Sequence, residues 1–489
     1  RYKVIPVAQR ENTLTLAMVD PLNVIAIDDI RLITGFEIDP VIATEEAIIS
    51  AINRQYGVTE LAEVQETVKD ISATDYGTLE MEEVQEEEIS LDKLKELVDE
   101  APIVRVVNMI ISQAINDKAS DIHIEPEVKS VRVRYRIDGV LHDVMSPPKH
   151  IQAPMVSRVK IMANMDIAER RIPQDGKIHL RHDNREFDLR VSTIPTIHGE
   201  KVVMRILDKS SVLLGLNKLG FYPETQSLFE SIVEKPYGMI LVTGPTGSGK
   251  STTLYACLNK LNTGAENIIT VEDPVEYQLA GVNQVQVNEK AGLNFANALR
   301  SFLRQDPDKI MVGEIRDTET AQIAVEAALT GHLVLSTLHT NDASGAVSRL
   351  IEMGIEPFLV SSSVIGILAQ RLVRTICPNC KEQYTPPQDA VRQFGFLSMA
   401  ETDIIFYRGR GCDHCKMTGY RGRTGVFELL EITDRIRSLA LQRSSSSEIR
   451  QAAIEEGMKT MQDDGLRKVV DGITTIEECL RVIYVEGEI

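Results

Sequence analysis

The run from Gly244 to Thr252, Gly-Pro-Thr-Gly-Ser-Gly-Lys-Ser-Thr, constrains this chain more than any other stretch. Gly244, Gly249, Lys250 and Ser251 occupy the fixed positions of the phosphate-loop pattern, with Pro245, Thr246, Gly247, Ser248 and Thr252 filling the rest of the loop. Met239 to Val242 ahead of it reads as a buried strand, and Ser251 to Leu261 behind it reads as a helix. The chemistry needs that order. Glycines let backbone amides close around phosphate oxygens, and a helix N-terminus adds positive potential. Lys250 is then placed for the β- and γ-phosphates of a bound ATP, and the Ser251 hydroxyl for Mg²⁺. Around the loop, residues 216–370 alternate strand and helix, the pattern of a doubly wound parallel sheet in an α/β fold.

A chain of 489 residues exceeds one core and implies three or four domains. Apolar residues make up 43 % and charged residues 26 %, an ordinary globular composition. No apolar run reaches membrane-spanning length, so membrane association is expected to run through a partner. No signal peptide is visible, and a chain beginning at Arg1 rather than methionine reads as truncated. The net charge of −19 is uneven, because Val58 to Glu100 holds fifteen acidic residues against three basic ones. An acidic surface argues against a nucleic-acid translocase, whose binding rests on neutralising phosphates.

Residues 1–57 read as a small α/β docking module, with strands at Val4–Val7, Thr13–Ala17 and Phe36–Ala43 and helices starting at Asp20-Pro21 and Thr44. Residues 58–100 read as a linker. Residues 101–215 form a second α/β domain, opening with a helix (Ala101 to Asn116) and continuing in alternating strands rich in arginine and lysine. Such charges are usually a solvated sheet face, but beside a nucleotide-binding core a few can reach the phosphates. The domain at 216–370 is followed by a cysteine-rich section at 371–430 and a helical region at 431–489, where Ser447 is the expected helix cap.

Three more strand patterns end in chemically capable residues. Ile268 to Val271 runs into Glu272 and Glu276, and Ile310 to Val312 runs through Gly313 into Glu314. The run from His332 to His339 carries a histidine at each end. Ligands of open α/β sheets sit at the carboxyl ends of the strands, so these groups should converge on the phosphates. Glu314 takes the Mg²⁺ position, Glu276 and Glu272 are candidates to activate water, and either histidine is a candidate γ-phosphate sensor. Asp317 reads as the cap of a helix from Thr318 to Leu329. The pocket still lacks arginine; Arg190 and Arg205, placed near opposite ends of a hairpin in the preceding domain, are candidates, and action on a neighbour's site would require a ring.

Cys377-Pro-Asn-Cys380 and Cys412-Asp-His-Cys415 are two C-x-x-C knuckles, together a Cys₄ set for a structural Zn²⁺ with no open position for substrate. Disulfides and redox activity are the alternatives. The long gap requires Lys381 to Gly411 to fold out and back. Cys257 and Cys479 fall on helical patterns and read as core.

Taken together, the phosphate loop, Thr270 to Tyr277 (TVEDPVEY), Leu303 to Asp317 (LRQDPDKIMVGEIRD), Gly331 to Ala343 (GHLVLSTLHTNDA), Ser120 to Pro126 (SDIHIEP) and the cysteine knuckles resemble the secretion ATPase superfamily, which includes type IV pilus assembly ATPases and type II secretion ATPases. The resemblance covers about residues 100–489. It implies a RecA-like core behind a PAS-like α/β domain, and a cytoplasmic homo-hexamer that hydrolyses ATP to ADP. It also implies a polytopic inner-membrane platform protein and cytoplasmic accessory proteins as partners, with membrane association through them. Within the family pattern, the arginines fall on Arg190 and Arg205, the catalytic glutamate on Glu276 and the magnesium-site glutamate on Glu314. The tetracysteine set and the N-terminal module resemble assembly and secretion members rather than pilus retraction ATPases; pilus assembly is the leading reading, with type II secretion, which shares all of these motifs, the alternative. A nucleic-acid translocase and a non-hydrolysing scaffold are further readings. Cyclic-di-GMP binding, which some pilus ATPases place in an earlier part of the docking domain, has no residues here on which to be judged.

Overall fold

The computed structural model describes residues 4–10, 13–19, 101–183, 185–208, 215–393 and 404–483, with scattered positions between 21 and 48. The acidic stretch at 58–100 and the helices expected after Asp20 and Thr44 lie outside the described residues or nearly so. Strands β1 (Val4–Arg10), β2 (Thr13–Met18) and β3 (Glu37–Ile42) form one small sheet, β1 antiparallel and β2 parallel to its neighbour β3. The chain divides into two compact units, one mainly from residues up to Ile206, this small sheet included, and one mainly from Leu207 onward.

In the first unit, helix α1 (Ala101–Asn116) precedes β4 (Asp121–Pro126), β5 (Val131–Ile137) and β6 (Val140–Met145). Helix α2 (Gln152–Met162) leads to β7 (Gln174–His182), β8 (Arg185–Thr196) and β9 (Gly199–Asp208). The six strands lie in the order β6-β5-β4-β9-β8-β7. Val131, Val133 and Tyr135 alternate into the core, and the Tyr135 hydroxyl donates to the Ile110 carbonyl of α1 at 2.7 Å. Much of the basic face is neutralised within the sheet. Glu125 pairs with Arg134 and Lys201, and Asp121 pairs with Arg136 and Arg205.

The second unit opens with α3 (Pro223–Val233), β10 (Gly238–Thr243), α4 (Lys250–Leu261), β11 (Ile268–Glu272) and β12 (Asn283–Gln286). It continues with α5 (Phe295–Phe302), β13 (Lys309–Val312), α6 (Thr318–Leu329), β14 (Leu333–Leu338), α7 (Ala343–Glu352) and α8 (Pro357–Ser363). The long strand β15 (Val364–Ile376) follows. With β18 (Tyr420–Glu431) at its edge, the sheet order is β12-β11-β13-β14-β10-β15-β18, parallel except for the last pair. Both faces are covered, as a parallel sheet requires. Met239 and Leu241 point into one apolar cluster with α5, α6 and α7, whereas Ile240 and Val242 point into another with α3 and α4.

The boundary expected at residue 371 falls inside a strand. β15 runs on to Ile376 and pairs antiparallel with β18 (Tyr420–Glu431). The cysteine section is an excursion between them, carrying β16 (Lys381–Tyr384), α9 (Gln388–Gln393) and β17 (Phe406–Gly409), with β16 and β17 paired back on each other. The out-and-back path read from the sequence is therefore present.

Four helices close the chain: α10 (Asp434–Leu441), α11 (Ser446–Glu455), α12 (Met461–Val470) and α13 (Ile476–Val482). They are tied to the sheet by buried carboxylates. Glu428 of β18 accepts the Ala343 amide at the start of α7 and the Met461 amide at the start of α12, at 2.9 and 3.3 Å. Glu478 of α13 accepts both the amide and the guanidinium of Arg374 on β15.

Two cap expectations came out differently. Asp317 caps α6, accepting the Thr320 amide at 2.8 Å. Ser447 caps nothing: Ser445 accepts the Glu448 amide, and Glu448 reaches back to the Ser445 amide as a capping box. Ser445→Ala should therefore cost about 1 kcal/mol, and Ser447→Ala well under half of that, in denaturant unfolding of the full chain.

Candidate active site

The phosphate loop connects the buried end of β10 to the first turn of α4, and its glycines are needed for space as well as conformation. Gly244 has φ of 145°, and a Cβ there would sit 2.5 Å from the Gln370 carbonyl oxygen and 2.6 Å from Ser248 Oγ. Gly249 caps α4 at φ of 92°, a left-handed value that side chains disfavour. Pro245, Thr246 and Gly247 are exposed at the crest of the loop, Ser248 is buried beneath it, and Ser251 and Thr252 are exposed in the first turn of α4. Lys250 folds back to donate to the carbonyls of Gly244 and Pro245 at 2.7 and 3.1 Å. Burial pulls its pKa down, while the charge of Glu314 pushes it back up.

Glu314 lies just past β13, with its backbone neighbourhood pinned from both sides. The Gly313 amide donates to Val271 of β11, and the Thr337 hydroxyl of β14 donates to the Gly313 carbonyl, both at 2.8 Å. Its carboxylate is mostly buried, pairs with Arg316, and lies 3.5 Å from His339 Nε2. Thr243, the last residue of β10, donates to the Thr340 carbonyl at 2.8 Å, which draws the loop after β14 against the phosphate loop. Lys250, Glu314 and His339 thus gather at one edge of the sheet, as the strand pattern led us to expect.

His332 does not join them. It precedes the first residue of β14, and six residues at about 3.3 Å each separate the two ends of that strand by roughly 20 Å. Its Nδ1 lies 2.9 Å from the Ala327 carbonyl, a local contact with the end of α6. Glu272 also differs from expectation. Its carboxylate is buried and engaged by Tyr255, Thr270 and Gln284, so it is a structural acceptor rather than a group facing water. Glu276 lies half-buried in the loop after it.

In the first unit, Arg190 lies on β8 and Arg205 on β9, equally far in sequence from the turn that joins them. Arg205 is more than half exposed, with Nε 3.1 Å from Asp121 Oδ1.

The four knuckle cysteines converge. Their sulfurs all lie within 4.8 Å of one another, with Cys377–Cys412, Cys380–Cys415 and Cys412–Cys415 separations of 3.9, 3.8 and 3.7 Å. A disulfide needs about 2.05 Å. Tetrahedral thiolates at about 2.3 Å from Zn²⁺ lie about 3.8 Å apart, so the set fits that ion. Burial pushes the Cys415 thiol up, but amide hydrogen bonds from Cys412 and Gly419 and the neighbouring sulfurs bring it down to about 7.

Residues 96–481 match the family described as Type II/IV secretion system protein, and residues 1–61 match the MshEN domain.

The chain belongs to the type II/IV secretion system protein family.

It is 50 % identical to the type IV pilus assembly ATPase PilB of Myxococcus xanthus, over 98 % of this chain and 84 % of that protein. It is 47 % identical to the type II secretion system protein E of Xanthomonas campestris pv. campestris, over 99 % of this chain and 83 % of that one. Among solved structures, the pilus retraction motor PilT with bound ADP aligns at 28 % identity and a TM-score of 0.53, over 76 % of this chain and 95 % of that one.

This secretion-system family member also has site residues that no motif announced. Gln370 on β15 donates from Nε2 to the Ser248 carbonyl at 2.9 Å and accepts from the Thr253 hydroxyl at 2.8 Å, bridging the phosphate loop and α4. Arg371 beside it donates to the Asn341 carbonyl at 3.0 Å, in the loop that carries His339. Gln370→Ala removes two buried hydrogen bonds worth about 1 kcal/mol each, so fluorescent-ADP titration should show affinity falling by up to about thirtyfold.

Proposed function

We propose that this chain hydrolyses ATP in a Mg²⁺-dependent reaction, and that turnover drives pilin polymerisation in type IV pilus extension through an inner-membrane platform protein. The observation that carries the hydrolytic reading is the gathering of Lys250, Glu314 and His339 at the carboxyl edge of the sheet, beside a loop that only glycine can form. The pilus reading rests on 50 % identity to a pilus assembly ATPase over nearly the whole chain. The almost equal similarity to a type II secretion protein keeps pseudopilus assembly and protein export as the second reading.

In this scheme the amides of residues 246–252 and the Lys250 ammonium hold the phosphates. Ser251 and Glu314 provide the oxygen donors that suit Mg²⁺, which when bound neutralises charge on the β- and γ-phosphate oxygens. Glu276 orients the attacking water and accepts its proton. His339, in reach of Glu314, senses whether the γ-phosphate is present. Arg190 and Arg205 supply positive charge to the site of a neighbouring subunit in a hexameric ring. The four cysteines hold a structural Zn²⁺, with no position left for substrate. No helix among the described residues is long and apolar enough to cross a membrane, in keeping with attachment through the platform protein and accessory proteins.

Glu314→Ala should keep nucleotide affinity within about threefold while lowering kcat about a hundredfold; near-normal turnover would remove Glu314 from the magnesium site. Introduced into the source organism, the same change should abolish surface pili and leave secreted proteins normal. The reverse phenotype would select the type II reading. Cys412→Ser should lower bound zinc, measured by elemental analysis of the purified chain, from about one ion per chain to a small fraction; unaltered content would dismiss the Cys₄ site.

A further inference from the structure

The hydroxyl of Tyr255 occupies a junction between the phosphate-loop helix and the loop that carries Glu276. Tyr255 is on α4, five residues after Lys250, and is 3 % exposed. Its hydroxyl donates to Glu272 Oε2 at 2.5 Å and accepts the backbone amides of Glu276 and Tyr277 at 3.2 and 3.3 Å. Gln284 Nε2 approaches the same oxygen at 3.4 Å, so the hydroxyl gives its one proton to Glu272 while three donors crowd its two lone pairs. Burial, followed by the bond to Glu272, raises the Tyr255 pKa well above the ordinary phenol range, so the proton stays in place to be donated.

The remaining partners make the junction rigid. Glu272 Oε1 accepts the Thr270 hydroxyl at 2.6 Å and Gln284 Nε2 at 3.1 Å. Gln284 also donates to the Tyr277 carbonyl at 2.9 Å and accepts the Leu279 amide at 2.7 Å, holding the same loop from its far side. The ring of Tyr255 meets that of Tyr277 edge to face, with centroids 5.8 Å apart. Buried networks with every member satisfied specify one geometry, because each departure strands a polar group.

We propose that Tyr255 is a positioning residue for hydrolysis: through its hydroxyl, the helix that seats the phosphates also fixes the backbone of Glu276, with Glu272 and Gln284 as the supports that orient that hydroxyl. The inference rests on Glu276 as the group that orients water. The Tyr255 hydroxyl is buried and committed to Glu272 and the Glu276 loop, so it acts on the rate of the chemical step and not on nucleotide binding. A misplacement of the Glu276 carboxylate by a fraction of an ångström is enough to slow such a step substantially.

The test is single-turnover ATP hydrolysis by the full chain carrying Tyr255→Phe, Glu276→Gln or both, beside fluorescent-ADP titration and thermal melts. Tyr255→Phe keeps the ring and its packing. It should lower the rate by about tenfold and leave ADP affinity within about twofold. In the Glu276→Gln background the same change should cost less than about twofold, because a group acting through Glu276 has nothing left to position. Gln284→Leu, which keeps the hydroxyl but frees the far side of the loop, should show the same split between rate and affinity. Equal losses from Tyr255→Phe in both backgrounds, undiminished turnover, or a parallel loss of ADP affinity would overturn the clamp. Undiminished turnover in Glu276→Gln alone would overturn the role assigned to Glu276, a result read without any Tyr255 variant.

Discussion

The contact between Gly244 and the carbonyl of Gln370 is the constraint on which the rest of the site depends. It exists because β15 lies beside β10 in the sheet, with Val242 level with Leu368 and Thr243 with Ala369. The chain leaving β10 must therefore pass directly over the next residue of its neighbour, where even a methyl group would collide. Having passed, it is held there by the side chain of Gln370, and the residue after that reaches the histidine-bearing loop. One strand thus sets the height of the phosphate loop, the start of α4 and the position of Asn341. Neutral hydrogen bonds in a buried setting do this well, because stranding any one of them costs more than it is worth when made.

Much of this was legible in the sequence wherever chemistry is written locally. The phosphate loop, the Asp317 cap, the glutamate after β13 and the paired cysteines each follow from residues only a few positions apart, and the structure places them as read. Where the reading departed from the structure, the deciding partner was remote. Gln370 and Arg371 looked like the end of a domain because nothing near them shows that β15 continues to pair with a strand about fifty residues later. Glu272 looked as eligible as Glu276 until Tyr255, on a different element, engaged its carboxylate. His332 and His339 are equivalent in pattern, and only the parallel direction of β14 relative to β10 shows which end faces the phosphates. The choice between Ser445 and Ser447 turned instead on a near neighbour, the Glu448 side chain that closes the capping box.

The closing helices show a related economy. Glu428 is buried on β18, where burial alone would favour its neutral form, yet it accepts amides from the starts of two different helices. Helix N-termini offer unpaired amides and partial positive charge, so one carboxylate serves two of them at once. The terminal helices are in this way continuous with α7, which begins directly after the histidine-bearing loop.

The cysteine excursion has a different relation to the core. β15 and β18 leave the sheet as a pair, and the four sulfurs gather at the point where the chain departs and returns. The excursion is tethered at this base and also rests on the closing helices, where Tyr384 donates to Glu477 and Lys381 to the Gly472 carbonyl. The knuckles therefore act as a hinge pin between the sheet and the end of the chain: a shift of the closing helices is felt where the four sulfurs meet.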